Sequence, residues 1–505
     1  AVWSPQYAQW SNIISLTPGI NRVLIQSVNS NNVVFASTNI DIWYDSSSTK
    51  SVSGAISSDT VWTAANGPYR ITGSITINNG VTLTIQPGTT VYLDSGVNIT
   101  VASGGRIVAE GTPTGQIRFT RVPGTTGTWG GITINGGAGT PETRIAYAII
   151  EYNGSTAIHS SGGTVYLDHV IFNTTSAQYL SLDSSSFSVS YCHFPTPSAS
   201  FEPIHGSGGI KSGGKGIFYR NFVGAPYGYN DSIDFTGGNR PSEIVQFIDN
   251  VFIGSGDDIL DLDGTDAWVE GNIFMHCHKN GSPDTSSAVS GGKDQGSPNV
   301  SRITIINNLF YDCDHAATAK EGNFYVMLNN TIVHQTKQGG TETSAGVINF
   351  SEPGVAEGAG MYLEGNIIYD AEQLLREPLV SAIVTITNNL MPFNWTGLGG
   401  NNFNADPKFN YVPQVSETTN FTNWADAQVM WNWFSLKADS PAVGIGPNGT
   451  DLGAVIPRGV SISGVPYGTS SLTSLVLTVG INRSGNGIPT SGWQYGSGYT
   501  HYKWR

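Results

Sequence analysis

Charge is scarce in this sequence. Asp, Glu, Lys and Arg make up 12% of its 505 residues, well under the roughly one quarter usual for a globular domain. Polar surface must therefore come from Ser, Thr and Asn, the composition of extracellular all-β proteins. Cysteine is nearly absent: Cys192, Cys277 and Cys313 are too few for a disulfide scaffold and cannot all pair within one chain. No apolar run reaches about 18 residues, so no membrane span is expected, and no basic and apolar leader opens the chain. Positive charge is in deficit, with 23 basic against 37 acidic residues and a net charge of −14. That sign excludes nucleic acid as a partner and favours small cations. Nine His show no H-E-x-x-H spacing, and neither a P-loop nor a Gly-x-Ser-x-Gly elbow between strand and helix occurs. Zinc hydrolysis, serine hydrolysis and phosphoryl transfer lose their motifs. His276 and His278 flank Cys277, and one thiol between two imidazoles on a strand is not expected to face one ion with both.

What the chain has instead is glycine, aromatics and repetition. Sixty-three Gly, 12 Trp, 21 Tyr and 20 Phe supply turns and apolar area enough to exclude disorder. Short alternating strands ending in Asn recur at Asn250, Asn272, Asn308, Asn330, Asn366 and Asn389, with spacings of 22, 36, 22, 36 and 23 residues. A coil of about 22 residues with loop insertions accounts for these spacings. Asn at each corner tolerates the left-handed conformation, and its amide reaches the next coil as a ladder. Upstream, strands begin near Ile71, Val81, Val91, Ile99 and Ile107 at steps of roughly ten residues. The fold class expected is all-β, a right-handed parallel β-helix over 55–415, with a closing segment and linker over 416–469. Residues 1–54 and 470–505 read as short sandwich-like segments. The last of these stops within a strand-like stretch, so either a longer parent chain or head-to-tail self-association through the ends is expected.

Carboxylates concentrate on two neighbouring coils: Asp231 and Asp234 on one, Asp257, Asp258, Asp261 and Asp263 on the next. Asp234 and Asp261 are one coil apart, which stacks them about 4.8 Å from each other, and residues at i and i+2 share a face. Carboxylates that close repel unless a cation lies between them. Such a density of oxygen suits a hard ion, Ca²⁺ above all, with Asp234, Asp257, Asp258 and Asp261 as ligands. Asp231 and Asp263 read as turn formers. Eight of the 23 basic residues fall between 211 and 320, so an anionic ligand is expected beside the carboxylates. Arg240, Lys279, Arg302 and Lys320 are candidates for holding it, and Lys293 lies in a Gly-rich stretch one coil past the acidic motif. Paired carboxylates also leave metal-free glycoside hydrolysis open.

The order Asp234, then Asp257, Asp258 and Asp261, then a Gly-flanked Lys293 on successive coils resembles the calcium site and catalytic lysine of the family 9 pectate lyases. The resemblance covers about 100 residues. It implies β-elimination on an acidic polysaccharide, with Ca²⁺ on the four aspartates and Lys293 as the base. One departure stands out: that family follows its lysine with an apolar residue and glycines, whereas Asp294 and Gln295 follow Lys293. The ends, through Leu16 to Arg22, Ile40 to Asp45, Asn404 to Phe409 and Thr500 to Arg505, resemble large secreted bacterial proteins that alternate β-helices with Ig-like modules. That likeness implies an extracellular or cell-surface location and a second reading, a non-catalytic structural or adhesion protein. Cys277 and Cys313 each follow a ladder Asn by five residues, so they are expected in one column on adjacent coils, as reduced buried thiols.

Overall fold

The computed structural model describes residues 2–4, 9–46, 48–173, 175–279, 286–336, 345–350, 354–376, 382–446, 449–454, 461–463 and 476–478. Between Lys50 and Thr387, 34 strands join one continuous parallel sheet wound as a β-helix. Each coil crosses three faces. In the coil that starts at the first face with Ile233–Phe235, the second face is Val245–Ile248 and the third is Val251–Phe252. The ten-residue steps upstream are these faces in succession, and Ile75 pairs with Ile99 one full coil later. The spacings read from the Asn residues recur as pairings: Val245 with Ala267, Ala267 with Ile303, Ile303 with Tyr325, Tyr325 with Met361 and Met361 with Val384.

Parallel register places like residue over like, and that is what fills the narrow core. Ile233, Leu260 and Val289 stack on the first face, all fully buried. Phe252, Phe274 and Phe310 stack on the third with ring centroids 5.1 and 5.0 Å apart, the offset contact aromatic rings favour. Cys277 and Cys313 occupy one register column, since Met275 pairs with Tyr311 two residues earlier. Both are buried free thiols.

The corner between the second and third faces carries the expected Asn ladder. Asn308 Nδ2 donates to Asn330 Oδ1 at 3.1 Å and to the Val269 carbonyl at 2.9 Å, while its Oδ1 accepts from Asn272 N at 2.8 Å. The same contacts repeat from Asn221 to Asn402. The left-handed residue, however, is the one before each ladder Asn: Arg220, Asp249, Asn307, Asn329 and Asn388 have φ between 50° and 57°. The corner turns there, and the amide of the following Asn points along the stack. Cys192 holds the equivalent place one coil before Asn221, and its N–H donates to Asn221 Oδ1 at 2.9 Å.

The ends depart from expectation. Lys50–Ile56 already pairs into the first coil, so the β-helix starts before residue 55. Upstream of it, Gly19–Val28 and Val34–Tyr44 form a two-stranded antiparallel hairpin, docked through Arg118 to Asp41 at 2.6 Å and Ile20 N to Thr90 at 3.0 Å. Near the other end Ser461–Ser463 pairs with Val476–Thr478, and 479–505 lies outside the described residues. No Ig-like sandwich is formed among the described residues. Residues 405–454 include most of the described part of the expected closing segment and linker, 416–469. They carry three short helices, α1 (Val415–Thr418), α2 (Trp424–Ala427) and α3 (Val429–Trp433), and run back along the outside of the third face. Phe409, Met430, Phe434 and Leu452 pack there on Val251, Ile273, Leu309, Val333 and Ile367.

Candidate active site

Coils that carry 36 residues insert their extra chain at the two ends of the first face. One such coil has long connections between Met275 and Ser287 and between Gly291 and Arg302. The intervening 22-residue coil links Tyr311 to His315 and Ala319 to Phe324 directly. The outward side of the first face is therefore a floor between walls of inserted chain, and its residues are polar. In register from coil to coil stand His159, Ser181, His205, Asp234, Asp261, Ser290, Thr318 and Asn349.

Asp234 and Asp261 are stacked on adjacent coils, as the spacing required. Their surroundings differ. Asp234 is engaged by His205, whose Nδ1 lies 3.1 Å from Asp234 Oδ2 and 3.5 Å from Glu202 Oε2. Those two carboxylates push the His205 imidazole up to about 10. A carboxylate group lies at the upstream end of the floor and consists of Asp231, Asp257 and Asp258, all buried, with ligand oxygens within 4.8 Å of one another. Backbone amides hold it in shape: Asp231 Oδ1 accepts from Asp258 N at 2.8 Å, and Asp258 Oδ1 from Ser287 N at 2.7 Å. Lys279 enters from the side, with its ammonium on Asp257 and 4.4 Å from the centre of the Tyr229 ring.

One lysine does not balance this charge. Burial, then Asp261, Asp258 and Asp257, push the Asp231 carboxyl well above its usual range. Asp261 is raised in the same way by burial and by Asp263. Asp257 and Asp263 are each pushed up to about 6, chiefly by burial. Asp261 Oδ1 and Asp263 Oδ1 are buried with no hydrogen-bond partner. A set of oxygen donors with surplus negative charge and two orphaned oxygens fits a hard divalent cation. Asp231 belongs to that set, which its reading as a turn former missed.

The downstream end of the floor brings up the lysines. Lys320 lies beside Asp261 and Asp263, where its charge opposes the rise of both. Gly292 makes the approach possible, since a Cβ there would lie 2.9 Å from Asp263 Oδ1, 3.2 Å from Lys320 Cε and 2.7 Å from Glu321 Oε2. Lys293 is exposed at the rim, and its N–H donates to Glu321 Oε2 at 2.9 Å. Arg240 and Arg302 are not brought to the carboxylates. Arg240 is buried at the corner leading to the second face, 3.2 Å from Asp266, and it donates to the carbonyls of Arg302 and Ala267. Arg302 N donates to the same Asp266 at 2.8 Å.

Residues 54–172 match the family model of the pectate-lyase-like β-helix domain. The pectate-lyase-like stretch covers the first coils and ends upstream of the acidic floor. Among solved structures, a PL6 alginate lyase in complex with a trisaccharide is similar at 12% identity and a TM-score of 0.34, over 71% of this chain and 80% of that one. A rhamnogalacturonan lyase is similar at 11% identity and a TM-score of 0.26, over 70% and 92%. A tailspike protein of an E. coli bacteriophage is similar at 12% identity and a TM-score of 0.27, over 66% and 72%. All are parallel β-helix proteins. No curated protein sequence matches the chain.

Tyr229 stands at the carboxylate group, and Tyr227 is exposed two residues before it. Tyr227 and Tyr229 are 65% and 59% exposed, and Tyr229 also hydrogen-bonds Asp257. Their signal in the sequence is a Pro-Tyr-Gly-Tyr-Asn turn immediately before Asp231.

Proposed function

We propose that the chain is a secreted, calcium-binding protein that cleaves an acidic polysaccharide of the polyuronate class by β-elimination. The observation that supports this most is the pair of orphaned buried oxygens, on Asp261 and Asp263, between a carboxylate group and a lysine. Asp231, Asp257, Asp258 and Asp261 would hold the cation, and Asp234 adjoins them under the control of His205. When bound, Ca²⁺ supplies positive charge that offsets these carboxylates and the carboxylate of the sugar. Lys320 is placed to act as the base. With the negative field around it offset, its ammonium loses a proton more readily, and the neutral amine takes the proton at sugar C5. The electron pair forms the C4–C5 double bond, the bond from C4 to the glycosidic oxygen breaks, and that oxygen leaves with a proton from solvent. Lys293 at the rim meets the carboxylates of neighbouring sugars, and Tyr227 and Tyr229 offer ring faces on which sugars stack. Mixing the protein with a panel of polyuronates, with and without Ca²⁺, tests the reading through the ultraviolet absorbance of unsaturated uronate products. No such product from any polyuronate overturns it.

A second reading, an extracellular structural or adhesion protein that associates head to tail, draws on the N-terminal hairpin. Leu24, Val28, Phe35, Ile40 and Trp43 there are 45–71% exposed, more apolar surface than a lone hairpin normally leaves in water. Sedimentation at increasing concentration distinguishes the two, because a strict monomer leaves that surface without the second copy this reading requires.

A further inference from the structure

The corner between the third and first faces carries a second cluster, with different donors. On successive coils it is occupied by His276, Asp312, His334 and Asp370, each in the left-handed conformation with φ between 53° and 60°. The turn at His276 delivers its ring to the same outer side as the ring of His278, while Cys277 between them is fully buried. The thiol thus points into the core, away from the two imidazoles, which share the outer side. His276 Nδ1 lies 2.7 Å from Asp312 Oδ2, and His278 Nε2 lies 3.2 Å from the same oxygen.

The hydrogen bonds around the cluster fix which nitrogens face inward. His278 Nδ1 is 2.9 Å from Asp314 Oδ1, a carboxylate whose other oxygen accepts from Lys279 N and Ser286 N. Nδ1 thus donates to Asp314, and Nε2 is the nitrogen that faces Asp312. That Nε2 is buried. His276 Nε2 is held at 3.0 Å by Thr418 Oγ1, so its Nδ1 is the atom presented to the cluster. An imidazole nitrogen 3.2 Å from a carboxylate oxygen requires a positive centre between them, either a proton on the ring or a metal ion that displaces it. The two imidazoles select its class, because nitrogen donors suit borderline ions and not Ca²⁺.

We propose that His276 Nδ1, His278 Nε2 and Asp312 form a binding site for a divalent transition-metal ion of the zinc class. Two imidazoles and one carboxylate make a three-ligand set with one position left for water. In a tetrahedral site with bonds of about 2.0–2.1 Å the ligands stand roughly 3.3 Å apart, so the observed 2.7 and 3.2 Å separations need to widen by about 0.6 and 0.1 Å. Asp314 and Thr418 are positioning residues that orient the two rings from outside, the usual arrangement around metal-bound histidine. Because Thr418 belongs to α1, the ion ties the segment that runs along the third face to the coils beneath it. The site is separate from the carboxylate group in donor type and does not depend on the enzymatic reading.

The test uses the full chain stripped with a chelator and then kept in excess Ca²⁺, with Zn²⁺ followed by calorimetry and Co²⁺ by its visible spectrum. The expected result is one ion per chain, a tetrahedral Co²⁺ spectrum and a higher melting temperature with Zn²⁺. His278→Gln and Asp312→Asn should abolish binding, Asp314→Asn should weaken it about 10-fold, and Asp258→Asn should leave it unchanged. Absence of Zn²⁺ binding, an octahedral Co²⁺ spectrum or full affinity in a folded His278→Gln variant overturns the proposal. The Co²⁺ spectrum is read on the unmodified protein, so the outcome stands even if a variant fails to fold.

Discussion

Two corners of each coil, a few residues apart in the chain, are built by opposite rules. At the corner between the second and third faces every coil from Asn221 to Asn402 repeats one residue and one set of hydrogen bonds. At the two ends of the first face the side chains change along the stack: carboxylates, Ser, Gly and Lys succeed one another between loops of changing length. Repetition satisfies the buried amides of the ladder Asn residues and so gives stability. Where it stops, buried charge is left unbalanced, and unbalanced charge is what a ligand can meet.

The strongest way to break the comparison is to show that the irregular end is inert. Lys320→Ala is expected to cut turnover on a polyuronate by about 10²–10⁴-fold with Ca²⁺ affinity and melting temperature nearly unchanged, while Lys293→Ala mainly raises KM. Steady-state kinetics on both variants decides, and full turnover by Lys320→Ala would return the role of base to Lys293. At the regular corner the effect falls on stability instead. Asn308→Ala removes the acceptor of the buried Asn272 N–H and the second donor to Asn330 Oδ1 and to the Ile306 carbonyl, a loss of about 1–3 kcal/mol, measurable by urea denaturation with activity retained below the transition.

Two smaller effects sharpen the contrast. In chelator, Asp257 and Asp263 hold protons more tightly folded than unfolded, since their carboxyls are pushed up to about 6 from 3.8. Their contribution favours the folded state at pH 4 and is lost as pH rises through 6. Melting temperature without metal should therefore fall across that window, and Ca²⁺ should cancel the fall. Gly292→Ala should lower turnover about 10-fold, because its Cβ displaces the ends of the Lys320, Asp263 and Glu321 side chains and no backbone atom. These ends are flexible, so the melting temperature should move little.

Much of this architecture is legible in the sequence because a parallel coil converts spacing directly into neighbourhood. The intervals between Asn250 and Asn389 are the pairings of the second face, and the 27 residues from Asp234 to Asp261 are one coil. What spacing does not contain is direction and burial. Asp231 looks like a turn residue until Asp258 N–H is seen to bind it. Lys293 and Lys320 lie on successive coils, and only the missing side chain at Gly292 shows which one reaches the carboxylates. The segment 405–454 escaped because its helices are of four or five residues, too short for a 3.6-residue period to register. Its signal was composition, Trp424, Trp431, Trp433 and Phe434 within eleven residues, far more apolar area than a linker needs.

That segment changes what kind of object the β-helix is. A solenoid in which each coil touches only its neighbours can fray from its ends, one turn at a time. Here Trp424 Nε1 donates to the Asp249 carbonyl, Tyr311 OH to Pro413, and Gly453 N to Gly365. A single strap thus spans the coils from Asp249 to Gly365. Under tension along the axis it bears load in parallel with the stacked strands, so those coils should yield together as one mechanical unit, while the coils upstream of Asp249 peel off singly.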